Sequence, residues 1–141
     1  MKLILAPTQS PAYRLILSQR VLDICSQDTY ENVVDFEWYL SVLVDLAYVA
    51  NVNVGARIRD QLVDVVGRVK AARRYAVKLM VKVLGDDTFS EQHGEDGSCA
   101  EVLWAAAWIC GEYCGYEYHG FLQLKASNDL FLANCQILRS Y

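Results

Sequence analysis

The chain has 141 residues, 54% of them apolar, with 17 acidic against 13 basic side chains and a formal net charge of −4. That length suits one domain around one core, and the apolar share exceeds the roughly 45–50% of soluble globular chains, which points to surfaces covered by other parts of a larger body. Leu3 to Tyr13, Leu46 to Ala56 and Val102 to Gly111 are the longest uncharged runs. All are shorter than the roughly 20 residues of a membrane-spanning helix, and the apolar run before Pro7 is too short for a secretory signal.

Ser10-Pro11 supplies an N-cap hydroxyl and then a proline at the first helical position, where its missing N–H is no loss. Tyr13, Ile16, Leu17, Val21, Leu22 and Cys25 recur at helical spacing, so 11–26 reads as an amphipathic helix. Gln27 to Asn32 is a polar connection. Phe36, Tyr39, Leu40, Leu43, Ala47 and Ala50 mark a second helix over about 33–50, with Asp35 and Glu37 near its start, where the helix dipole favours acids. After Asn51 to Asn53 and Gly55, a third helix carries Ile58, Leu62, Val65, Val66 and Val69, weakening at Gly67. A fourth carries Ala72, Tyr75, Ala76, Leu79 and Val83 and stops at Gly85, placed as a C-cap.

Residues 85–98 hold three glycines and five acids and read as a flexible acidic loop. Its end is marked by Ser98 and Glu101, spaced as a capping box that opens a helix rich in alanine and tryptophan. Gly115 to Gly120 reads as a connection, and Leu130, Asn134, Ile137, Leu138 and Tyr141 as a final helix. The class is therefore all-α, with 1–141 a single segment. Two antiparallel pairs, 11–50 and 54–84, match the roughly 40-residue period of HEAT and armadillo repeats, so the expected architecture is an α-solenoid segment; a compact bundle shares the same periodicity. The expected core is Phe36, Trp38, Tyr39, Leu43, Leu62, Val66, Tyr75, Leu79, Leu103, Trp104 and Trp108, the last two filling spaces between repeats.

Three constellations invite a functional reading. Cys110 and Cys114 with His119, and His93 or Cys99 across a loop, offer metal ligands, but at no standard zinc spacing; free cysteines are usually buried, and the five here read as thiols of a reducing compartment. Asp86, Asp87, Glu91, Glu95 and Asp96 lack the order of a calcium loop, and no nucleophile stands beside a base. No catalytic residue, metal or cofactor is expected. The third constellation is basic. Between Arg57 and Lys82 lie eight Lys or Arg against Asp60 and Asp64, a local charge of 8 − 2 = +6. Within it Lys70, Arg74, Lys78 and Lys82 fall at i, i+4 intervals and share one helix face. Together with Arg73 they form a candidate surface for an acidic partner or anionic lipid. A solvated outer face is the plainer reading, and no aromatic interleaving supports nucleic acid.

Three ordered blocks also carry a family likeness: YRLILSQRVLDICSQDTYENVVDFEWYLSVLVDLAYV at 13–49, GRVKAARRYAV at 67–77 and CAEVLWAAAWICGEYC at 99–114. They resemble the trunk of delta-type adaptin large subunits of the third adaptor-protein complex, and WICGEY is similar to an element of large adaptor subunits generally. The resemblance implies a non-enzymatic solenoid scaffold that assembles with beta-type large, medium and small subunits. It further implies cargo tails and an Arf-type small GTPase as partners of the complex, in the cytoplasm and peripherally on Golgi and endosomal membranes, in transport towards lysosomes or vacuoles. A coatomer-like or transport-receptor scaffold is the neighbouring reading, and a metal-dependent enzyme the distant one.

Overall fold

The computed structural model describes residues 10–48, 54–87 and 98–113, and the regular structure among them is helical. Helix α1 (Pro11–Ser26) starts as its sequence dictates: Ser10 Oγ accepts the Tyr13 amide at 3.3 Å and Pro11 sits in the first turn. Only Ser18 and Leu22 of this helix are buried, and Tyr13, Ile16 and Ile24 are exposed. Its apolar residues thus lie on more than one side.

A short 3₁₀ turn, Gln27–Thr29, leads out of α1 through three successive residues in the left-handed region: Asp28, Thr29 and Tyr30, with φ of 48°, 61° and 66°. None is glycine. The conformation is held from both sides: the buried Tyr30 ring lies 6.4 Å from Phe36 and 6.0 Å from Tyr39, and Asn32 Nδ2 donates to the Ile24 carbonyl at 3.0 Å. A β-branched residue is an outlier there, at a cost of about 1–2 kcal/mol. Thr29→Gly removes that cost but loosens the unfolded chain, so a net gain of about 0.5–1 kcal/mol is expected in denaturant unfolding. A loss would mean the threonine side chain contributes more than its backbone strain.

Helix α2 (Phe36–Ala47) begins three residues later than the expected 33 because Asp35 caps it, its Oδ1 accepting the amides of Glu37 at 2.9 Å and Trp38 at 3.1 Å. Helix α3 (Gly55–Arg68) buries Ile58, Leu62, Val65 and Val66 completely, on the expected stripe. A second 3₁₀ turn, Lys70–Ala72, leads into α4 (Arg73–Leu84), which buries Ala76, Val77, Met80 and Val83. Gly85 follows with an ordinary φ of −92°, its amide donating to the Val81 carbonyl at 3.1 Å, so the expected stop is made without a left-handed glycine. Helix α5 (Ser98–Tyr113) begins at the predicted serine.

The order of contact defines the architecture. Helix α5 lies against both α3 and α4, α2 meets α3 and α4, and α1 meets α3. Odd-numbered helices therefore neighbour one another, as do α2 and α4, which is the two-layer arrangement of a helical stack. The most extensive contacts are those of α5 with α3 and with α4.

Of the expected core, Tyr39, Leu43, Leu62 and Val66 are buried, and Phe36, Tyr75, Leu79 and Leu103 pack partly buried against it. The tryptophans are corrections: Trp38 and Trp104 are each 53% exposed and Trp108 37%. On α5 the inward stripe is Val102, Ala105, Ala106, Ile109 and Cys110, spaced i, i+3, i+4, i+7 and i+8. Small residues occupy it because α5 lies close to two helices at once, and the large rings at 104 and 108 fall outside that stripe. One buried polar link ties the first three helices together: the Tyr39 hydroxyl donates to Gln61 Oε1, and Gln61 Nε2 donates to the Leu22 carbonyl at 3.3 Å.

Candidate functional site

Four of the eight basic residues between Arg57 and Lys82 are arginines bound to carboxylates or carbonyls of the fold. Arg57 pairs with Asp23 of α1 at 2.5 Å, Arg68 with Asp64 at 2.6 Å, and Arg59 with Asp60 at 2.8 Å and with Glu101 of α5. Glu101, placed by the capping-box reading at the start of its helix, thus has its carboxylate on α3. Arg59 also stands 5.8 Å from the centroid of the Trp104 ring.

Arg73 is the fourth. Its Nε donates to the Val66 carbonyl at 3.0 Å and its Nη2 to the Gly67 carbonyl at 2.8 Å, while the guanidinium lies 4.6 Å from the centroid of Tyr113. It caps the last turn of α3, where carbonyls lack helical partners and a positive charge suits the dipole, and it braces the end of α5. The sequence placed Arg73 with the basic face; the structure turns it to the fold. Arg73→Ala is expected to lower stability by about 1–2 kcal/mol, since both bonds come from a charged donor. Lysine cannot reproduce the planar fork, so Arg73→Lys should recover only part of the loss in the same melting experiment.

The remaining four, Lys70, Arg74, Lys78 and Lys82, are all exposed. They keep the i, i+4 spacing along the 3₁₀ turn and α4, and the stretch 69–84 contains no acidic residue. On α2, the neighbouring helix of the same layer, Glu37 and Asp45 are exposed. Two hydrogen bonds fix the layer: Ser41 Oγ to the Tyr75 hydroxyl at 2.7 Å, and the Tyr48 hydroxyl to Asp86 Oδ2 at 2.6 Å.

Asp86, read from sequence as part of a loose acidic loop, is therefore bound at the foot of α2. Asp87 is exposed, and Glu91, Glu95, Asp96 and His93 lie outside the described residues. Of the cysteines offered as ligands, Cys110 is buried on the inner stripe of α5, while Cys114 and His119 lie outside the described residues, as does the expected final helix. Among the described residues no group of three or more His, Cys, Asp or Glu side chains converges, and no helix is long and apolar enough to cross a membrane. Burial pushes the Cys25 thiol up and holds the Tyr30 and Tyr39 phenols well above their usual range, with Asp64 adding to the effect at Tyr30. Gln61 and Arg73 were the residues that sequence reasoning did not single out for their roles. Gln61 was findable as the one amide on an otherwise aliphatic stripe.

A two-layer helical stack with a basic ridge on α4, and with exposed apolar side chains on α1, α2 and α5, is an α-solenoid segment, a class that works by presenting surfaces. The chain belongs to the Adaptin N terminal region family, whose pattern matches residues 2–130. It is 40% identical over 104 residues to the AP-3 complex subunit delta of Dictyostelium discoideum and 41% identical over 105 residues to AP-3 complex subunit delta-1 of Bos taurus, each match covering 74% of this chain and 9% of that protein. Against the AP-3 complex subunit delta of Arabidopsis thaliana it is 34% identical over 106 residues, covering 75% of this chain and 12% of the relative. The chain thus spans about a tenth of the length of the curated relatives it matches.

Proposed function

We propose that this chain is a non-enzymatic scaffold segment of an adaptor-complex large subunit of delta type, holding successive helical layers in a fixed curve. The observation that carries the reading is the distribution of exposed large apolar side chains. They lie on α1 (Tyr13, Ile16, Ile24), at the start of α2 (Val34, Trp38) and on α5 (Trp104, Trp108), and none is on α3 or α4 in the middle of the stack. Such a pattern is what a stack leaves when further layers are meant to cover its ends, because each repeat buries its apolar face only against its neighbours. Likeness to AP-3 delta subunits supports the partners: a beta-type large, a medium and a small subunit, with cargo tails and an Arf-type small GTPase meeting the assembled complex. It supports the place as well, in the cytoplasm and peripherally on Golgi or endosomal membranes, in vesicle transport towards lysosomes or vacuoles.

Affinity capture from cells tests this. Beta-type, medium and small adaptor subunits are expected to come down together; capture of coatomer or transport-receptor components in their place would overturn the assignment. Stoichiometric zinc in the purified protein would count against a scaffold and revive the metalloenzyme reading.

A further inference from the structure

We propose that the outer face formed by α2 and α4 binds a second copy of this chain, with α2 of each copy lying on α4 of the other about a two-fold axis. This goes beyond the adaptor reading and uses only the chain's own surface. The two helices lie side by side and run the same way: Ser41 bonds Tyr75, and further along both, Tyr48 bonds Asp86. Their outward sides carry opposite charge. On α2 the exposed residues are Glu37, Trp38 and Asp45, and the stretch 21–56 holds six acids and no base. On α4 and the turn before it Lys70, Lys78 and Lys82 are exposed, and the stretch 69–84 holds no acid.

This two-signed face selects its partner. A surface of one sign is drawn to one helix and repelled by the other, and like charges brought together count heavily against a complex. A second copy offers both signs. Where two rows of opposite charge lie parallel, a half-turn about the line between them sets each row on its opposite, at the same level along the helices; two-fold contacts of this kind are the commonest among homo-oligomers. The levels agree. Ser41 stands beside Tyr75, so Glu37 is level with Ala71 and Asp45 with Leu79, each one residue, or about 1.5 Å of helix, from a lysine. Glu37 therefore meets Lys70 of the second copy, and Asp45 meets its Lys78. Exposed ion pairs alone are weak, and the half-exposed Trp38, between Glu37 and Asp45 on the same side, supplies an aromatic anchor.

The test is sedimentation equilibrium of the full 141-residue chain. Its mass is expected to rise with concentration from the 15.9 kDa of one chain towards twice that value, and less so at high salt. E37K/D45K and K70E/K78E each set like charge against like in a dimer of their own kind, and each should weaken association at least about tenfold. Mixed together, they restore matched rows and should recover it. The first variant has a net charge of −4 + 4 = 0 and the second −4 − 4 = −8, so general attraction between the molecules does not account for that recovery. Trp38→Ala should weaken the dimer about tenfold with both rows intact. Arg20→Glu, exposed on α1, should change nothing. Melting curves check that each variant is folded, and the neutral E37Q/D45N serves if a reversal is not. A chain that stays monomeric, a dimer indifferent to both reversals, a mixture that does not recover, or an equal loss with Arg20→Glu overturns the proposal. A monomeric chain whose E37K/D45K variant loses capture of adaptor subunits also overturns it and assigns the face to another protein. A dimer that captures no adaptor subunits would instead refute the adaptor reading and leave the two-fold contact standing.

Discussion

Leu62→Ala is expected to lower the free energy of unfolding by about 2–5 kcal/mol, measured by denaturant titration of the chain. Leu62 is fully buried midway along α3, the helix that meets α1, α2 and α5. Removing three carbons there loses their transfer free energy and leaves a cavity that several elements would have to collapse to fill. Trp104→Ala removes a far larger side chain. Because that ring is half exposed and the described residues give it a cation contact with Arg59, its truncation should cost well under half as much. A ranking in which Trp104→Ala is the more damaging would show that α5 turns its other side to the core.

Ala106→Leu should destabilise by about 1–3 kcal/mol, although it adds apolar volume and raises nothing polar into the core. Ala106 is completely buried on the stripe by which α5 lies against α3 and α4. Three extra carbons must displace one of those helices or force a strained rotamer, since interiors are packed to near crystal density. Ala106→Gly provides the contrast: it adds no volume and costs only about 1 kcal/mol of helix propensity. If the leucine variant melted like the parent, α5 would have to stand further from its neighbours than its small residues imply.

Helix starts were legible at two serines, but not at α2, which Asp35 caps and which begins three residues inside the expected 33–50 range. Ser10 and Pro11 open α1, and Ser98 opens α5, where the sequence puts them. The α3 stripe was equally plain because Ile58, Leu62, Val65 and Val66 recur at one period in a helix whose other positions are polar. Helix α5 defeated the same reasoning. Apolar on nearly every side, it gives no periodic contrast, and ring size alone points to the tryptophans; the inward side is decided by how near two other helices come, which favours alanine over tryptophan. The left-handed run at Asp28, Thr29 and Tyr30 was invisible too, since QDTYEN holds no glycine and the run is held by tertiary packing of Tyr30. For the basic face, spacing identified the exposed row. It could not separate Arg73, whose role depends on the end of α3 lying within reach.

The order of contacts between the helices has a mechanical consequence. Among the described residues each helix makes its main contacts with those within three places of it in the chain, so a bending load applied at the ends is shared as small slips between many neighbours, and no single seam has to open. A stack built this way takes up strain in small shares and keeps its curve, while every buried leucine stays dry.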